Sequence, residues 1–324
     1  MNARLVRWLQ SDWAGPLLII LIGGGAIAFL RPSFLSAFNI EVLLLAIATN
    51  TLIAFSQMVI ICIGQMNLSV GAIGGLAAIS FAGLMQIWSL PPPIAAIVAL
   101  SIGTLGGAIN GFLVARTGIT AFVITLATLS IFKGINLGIT RAQPFYGVPD
   151  SVKVFGNTTF VHPLPWLILP TIGVVGLIWY ILNRQRVGRY MLAVGGNSNA
   201  AELSGISVFA TVLQAHAISG FLAALAGIMI VARLGLGQPT IGDDWLILSF
   251  AAPVIGGAAL AGGHVSVAGT ALGVVIVAII TQALVLFEID PFLVQVVLGG
   301  LILWAVGVNR FREVRMREPV KRIA

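Results

Sequence analysis

Apolar runs long enough to cross a bilayer recur along almost the whole chain, separated by short polar or glycine- and proline-containing interruptions. That repetition leaves few folds open. A spanning helix takes about 20 mostly apolar residues, because its backbone groups must pair within the segment once water is excluded. Ten such runs are legible, at roughly 14–30, 40–63, 68–88, 93–115, 119–139, 164–182, 212–233, 246–262, 266–287 and 291–308. Charged residues make up only 8% of the sequence, whereas a soluble domain carries about 25%. The chain therefore reads as an all-α integral membrane protein, one transmembrane domain over residues 1–324 with about ten transmembrane helices. The first run follows Arg4 and Arg7 as a signal peptide would. Phe34-Leu35-Ser36 makes a poor cleavage site, so this run is read as an uncleaved helix.

The net charge of +7 is a topology signal rather than a nucleic-acid footprint, since most Lys and Arg lie between apolar runs or at the chain ends. With both termini cytoplasmic, the inner segments hold Arg4, Arg7, Arg116, Arg184, Arg186, Arg189 and the basic tail from Arg310 to Arg322. The outer loops then hold Arg31, Arg141, Lys153 and Arg233, together with the acidic Asp243, Asp244, Glu288 and Asp290. The longest outer loop, about 140–164, is periplasmic in this orientation, and Pro144, Pro149, Pro163 and Pro165 are expected to keep it free of helix. Cys62 lies inside an apolar run and reads as a small core residue; one cysteine excludes an internal disulfide. Glycines spaced by four, Gly103/Gly107/Gly111 and Gly269/Gly273, suit close helix packing within the chain.

Several chemistries are missing. No GxxxxGK[ST] phosphate loop occurs, the three histidines are far apart with no HExxH spacing, and no Ser-His-Asp set or paired intramembrane carboxylates can be picked out. No catalytic residues and no metal site are assigned. The interior offers neutral polar groups, chiefly Asn50, Gln57, Asn110, Asn136, His216 and Gln282, which suit an uncharged, hydroxyl-rich solute or hydrogen bonds between helices. Lys133, the one basic residue well inside a run, is expected to snorkel to the interface. The polar interruption at about 184–208 reads as a cytoplasmic loop holding a very short helix. Asn199 is the expected N-cap, Glu202 its reciprocal partner, and Gly205 the left-handed stop.

Four motifs in order give the chain a family resemblance. They are Gly64-Gln65-Met66-Asn67-Leu68-Ser69-Val70-Gly71, then Ala121-Phe122-Val123-Ile124-Thr125-Leu126-Ala127-Thr128 with Lys133-Gly134, then Gly188-Arg189-Tyr190 through Gly195-Gly196-Asn197-Ser198-Asn199-Ala200-Ala201-Glu202-Leu203-Ser204-Gly205-Ile206, and Val254-Ile255-Gly256-Gly257 with Gly262-Gly263 and Gly269-Thr270. Over nearly its whole length the chain resembles the permease subunits of bacterial ABC importers for monosaccharides, a group that includes the ribose, xylose, arabinose and autoinducer-2 permeases. The resemblance implies an inner-membrane subunit that binds no cofactor itself. It implies as partners two ATP-binding subunits carrying ATP and Mg, a second permease subunit (identical or not), and a periplasmic sugar-binding protein.

It also implies that Gly195, Gly196, Asn197, Asn199, Ala200, Ala201, Glu202, Leu203, Ser204 and Gly205 form the coupling element seated on the ATPase, with Gly195 and Gly196 giving backbone freedom before it. The candidate solute pathway is Gln65, Asn67, Ser69, Thr125, Thr128 and Gln282. Asn67 stands where the family pattern has an acid, Gln65 replaces a glycine, Asp244-Trp245-Leu246 stands for Tyr-Glu-Leu, and Gln282-Ala283 for Asn-Gly. A break between the second and third runs is expected to open the helix N-terminus at Leu68 toward the pathway. A stand-alone carrier is disfavoured by the scarcity of intramembrane carboxylates, and a membrane enzyme by the lack of an acid–base set. Branched-chain amino-acid permeases are the nearest competing class.

Overall fold

A computed structural model describes residues 13–290 and scattered positions between 293 and 307. The helices in order are α1 (Ala14–Leu30), α2 (Ala37–Cys62), α3 (Val70–Trp88), α4 (Pro92–Thr117), α5 (Ala121–Thr140), α6 (Asp150–Asn157), α7 (Ile168–Arg184), α8 (Arg186–Gly196), α9 (Ser198–Leu203), α10 (Val208–Leu234), α11 (Trp245–Ile255) and α12 (Val267–Leu286). Among the described residues, six of them (α2, α3, α4, α5, α10 and α12) are long and apolar enough to cross a membrane, while α1, α7 and α11 are shorter apolar helices. The tenth run, the basic tail and the extreme N-terminus lie largely outside the described residues.

The bundle is organised around α10, which packs against α4, α3 and α2. Close approach is set by glycine. A Cβ on Gly107 would lie 2.1 Å from the His216 carbonyl, one on Gly220 2.2 Å from Gly103 O, and one on Gly227 2.3 Å from Gly74 O. The glycine stripe of α4 thus packs within the chain, and Gly269 and Gly273 do the same against α11, at Gly256 and Ala252. Cys62 is fully buried. α1 rests on α12, and α5 packs on α3 and α4 while turning an apolar face with Ile131 and Ile135 outward.

Three expectations need correction. The proline-rich 140–164 stretch contains an eight-residue helix, α6, and a small hairpin pairing Thr159–Val161 with Leu164–Pro165. Pro149 sits at the N-cap of α6, where a missing N–H costs nothing. The eighth run, read as 246–262, stops as helix at Ile255. Gly257, Gly262 and Gly263 adopt positive φ there (85°, 92° and 78°), a conformation that ends an α-helix.

The third concerns Asp243 and Lys133. The chain between α10 and α11 does not remain at the end of the bundle but runs back along α3. Gly237 meets Ala82, the Ile241 carbonyl meets Gly75, and the Gly242 carbonyl (φ 99°) meets Gly71. From Ala82 to Gly71 that descent covers roughly 16 Å of helix. Gly74 in turn touches Ala223 and Gly227, close to the middle of α10. Asp243 therefore lies near mid-depth of the bundle. Lys133, instead of reaching for an interface, pairs with Asp243 and donates to the Pro239 carbonyl (3.0 Å).

Candidate functional site

The segment between α2 and α3, residues 63–69, is not helical; Gly64 is exposed and Gln65, Met66 and Leu68 are partly buried, whereas Asn67 and Ser69 are fully enclosed. Gly64, at φ 71°, turns the chain out of α2. Irregular backbone away from water must find partners inside the protein; here Thr125 of α5, Gln57 of α2 and the segment's own Asn67 supply them, and Asn110 of α4 with Ser219 and His216 of α10 bond its side chains. Asn67 Oδ1 accepts from the Ser69 backbone N–H (2.9 Å) and hydroxyl (2.7 Å), while its Nδ2 donates to Ser219 Oγ of α10 (3.2 Å). Asn110 of α4 donates to Ser69 Oγ (2.7 Å), and Thr125 of α5 accepts from Leu68 N (3.0 Å). In the amide orientation that satisfies both groups, Gln57 of α2 brackets the Asn67 peptide, donating to its carbonyl (3.0 Å) and accepting from its N–H (3.2 Å). His216 Nε2 donates to Gln65 Oε1 at 3.0 Å.

Of the residues assigned to the solute pathway, Gln65, Asn67, Ser69 and Thr125 are therefore brought together. Thr128 lies one turn along the same face of α5, its hydroxyl bonded to the Thr125 carbonyl (3.3 Å). Gln282 is elsewhere: its Nε2 donates to Asn39 Oδ1 (2.9 Å), joining α12 to the start of α2. The Leu68 N–H does not open to a cavity; it is consumed by Thr125. Ser219 is a central member that the sequence reading did not single out. Its only signal is one hydroxyl in a mostly apolar run that also holds Gln214 and His216, and it resembles many packing serines.

At the end of the bundle near this break lies the α8–α9 pair. α9 is capped by Asn197, whose side chain accepts from Ala200 N at 3.0 Å, not by Asn199. The helix starts two residues earlier than expected, so Glu202 falls outside the reciprocal-cap position. The stop at Gly205 (φ 81°) is as expected. Gly205 N bonds to Glu202 O (2.9 Å) and Ile206 N to Ala201 O (3.0 Å), a complete Schellman closure. Only Ala201 of this helix is buried; Leu203 is 91% exposed. The result is a six-residue helix closed at both ends, a short rigid knob with Leu203 exposed at its tip.

The base of that knob is joined to the break. Gly195 and Gly196 are both helical, and Gly195 serves close approach rather than freedom: a Cβ there would lie 1.9 Å from Cys62 O and 2.6 Å from Gly263 N. Gly263 N donates to Cys62 O (3.0 Å), and Gly262 lies against Gly64 and the Gly195 carbonyl. Three backbones, from the end of α2, the end of α8 and the α11–α12 loop, thus meet with no side chain between them.

Six helices long and apolar enough to cross a membrane, packed closely through glycine, make a multi-pass membrane protein. The chain belongs to the family described as the permease component of the branched-chain amino acid transport system, which matches residues 39–306. Among curated relatives it is similar to the ribose import permease protein RbsC of Haemophilus influenzae, 35% identical over 96% of each chain. It is also similar to RbsC of Bacillus subtilis, 36% identical over 91% of this chain and 92% of that one. The D-allose transport system permease protein AlsC of Escherichia coli is 35% identical over 92% of both. No solved structure matches the chain.

Proposed function

We propose that this chain is the translocation subunit of an ATP-driven sugar importer in a bacterial inner membrane. It spans that membrane ten times, with both termini in the cytoplasm. Two ATP-binding subunits carry ATP and Mg and do the hydrolysis; this chain is not an enzyme and binds no cofactor. A second permease subunit completes the pathway, and a periplasmic protein delivers the sugar. The curated relatives weigh toward a sugar rather than a branched-chain amino acid, and the uncharged Asn, Gln, Ser and Thr groups at the break suit hydroxyl chemistry.

The observation that carries the reading is the exposed, doubly capped α9 whose base is welded to the buried break. A short rigid helix transmits displacement without bending, so closure of the ATPase pair around α9 moves α8, and through Gly195 pulls on Cys62 and Gly263. The break is then the moving part of the gate, and Asn67, Ser69 and Thr125 hold it in one of its two positions. The test is reconstitution. In vesicles without any nucleotide-binding protein the chain is inert; with its ATPase and loaded binding protein it accumulates sugar. Concentrative uptake by the chain alone would refute the reading.

A further inference from the structure

The segment that descends along α3 presents charge where a membrane bundle ordinarily has none. Lys133 and Asp243 form an ion pair at about the depth of the middle of α10, with side chains 27% and 52% exposed. The neighbouring Thr240 and Asp244 are exposed as well, and Asp244 makes no hydrogen bond or ion pair among the described residues. Aspartate has no flexible stem with which to reach an interface, so a half-exposed carboxylate at this depth cannot face lipid. The backbone gives the same answer. Non-helical chain at membrane depth persists only where it is buried in protein or lines water. One side of this segment is indeed buried, its Pro239 carbonyl held by Lys133 (3.0 Å) and by Asn136 Nδ2 (3.3 Å). The other side carries the exposed polar groups.

We infer that the 239–244 segment, with the Lys133 face of α5, forms one wall of a water-filled pathway, and that the Lys133–Asp243 pair and Asp244 are where a neutral, hydroxyl-rich solute is held in transit. The chemistry fits that class. The ammonium donates, the two carboxylates accept, and hydroxyls can exchange into the pair without leaving a charge unpartnered. α5 then separates two environments: Ile131 and Ile135 face lipid or a neighbouring subunit, and Lys133 faces water. The solute assignment rests on the permease reading; the water-filled wall does not.

The experiment uses single cysteines in a Cys62→Ala background, in native membranes, with a charged methanethiosulfonate that does not cross lipid. Thr240→Cys and Asp244→Cys are expected to react at least about tenfold faster than Ile131→Cys, because only a hydrated thiol ionises. Reaction as slow as that of Ile131→Cys would overturn the wall, showing the surface to be covered by lipid or by a second copy. In a second arm, Asp244→Asn lowers ATP-driven sugar uptake about tenfold, the loss of a charged hydrogen bond, with co-purification of the ATPase unchanged. Undiminished uptake would overturn the solute-binding role. Fast labelling without any ATP-dependent uptake by the unmodified chain would instead count against the permease reading and leave the wall standing.

Discussion

The weld at Gly195 gives the sharpest test of how the exposed helix reaches the buried break. In Gly195→Ala the new methyl would start 1.9 Å from the Cys62 carbonyl oxygen and 2.6 Å from Gly263 N. A carbon–oxygen contact relaxes only at about 3.3 Å. The ends of α2 and α8 must therefore part by more than about 1 Å, since neither neighbour is a side chain that can swing aside. The Gly263 N–H bond to Cys62 O, 3.0 Å long, is stretched in the same movement. Overpacking costs about 1–3 kcal/mol and the hydrogen bond about 1 kcal/mol, while alanine in a helix returns about 1 kcal/mol. The net loss, about 1–3 kcal/mol, does not unfold a bundle of this size but displaces the joint. Gly196→Ala is the control, because its nearest neighbour, Gly263 Cα, is 4.0 Å away. Membrane abundance, co-purification of the ATPase and ATP-driven uptake are measured for both. Gly195→Ala is expected in the membrane near normal levels with uptake lost, and Gly196→Ala to behave as the unmodified protein. Normal uptake by Gly195→Ala would refute transmission through this contact.

Asn67→Ala strips the Ser69 N–H and hydroxyl of their acceptor and Ser219 of a partner, all in the interior. At about 1–3 kcal/mol for each buried group left unpaired, it is expected to lower the melting temperature in detergent and the amount in the membrane. Asn67→Asp keeps the acceptor and allows Ser219 to donate, so it should retain more of both; equal losses would show that the bond network is not what holds the break. Leu203→Glu alters a side chain that is 91% exposed and is expected to leave stability within about 0.5 kcal/mol. It should abolish stimulation of the partner ATPase by loaded binding protein, and wild-type stimulation would remove α9 from the coupling contact.

The parts of this architecture that sequence discloses are those that depend on solvent rather than on distance. Apolar runs report burial away from water directly, so the helices from α1 to α5 appear with errors of a few residues. The break before α3 leaves a trace as well, in Gln65, Asn67 and Ser69, polar groups at the junction of two apolar runs. Features decided by what lies opposite are not visible. Gly195 reads as a hinge because a glycine's partner across space leaves no mark beside it in the chain; only the Cys62 carbonyl 1.9 Å from its absent Cβ shows it to be a spacer.

Asn197 and Asn199 carry the same capping chemistry. The structure places Asn197 at the cap, accepting from Ala200 N. The 246–262 run scores as one span because alanine and glycine are apolar by composition, although Gly257, Gly262 and Gly263 sit at positive φ. Asp243 and Asp244 suffer the opposite error. Two carboxylates after a long helix suggest a surface loop, and nothing local says that Gly237 and Gly242 let the chain fall back along a groove lined by Gly71, Gly75 and Ala82. The small residues on both sides of that groove are the one sequence trace of the descent. They carry meaning only as a facing pair, Gly71 against Gly242 and Ala82 against Gly237, and that pairing exists in space and not along the chain.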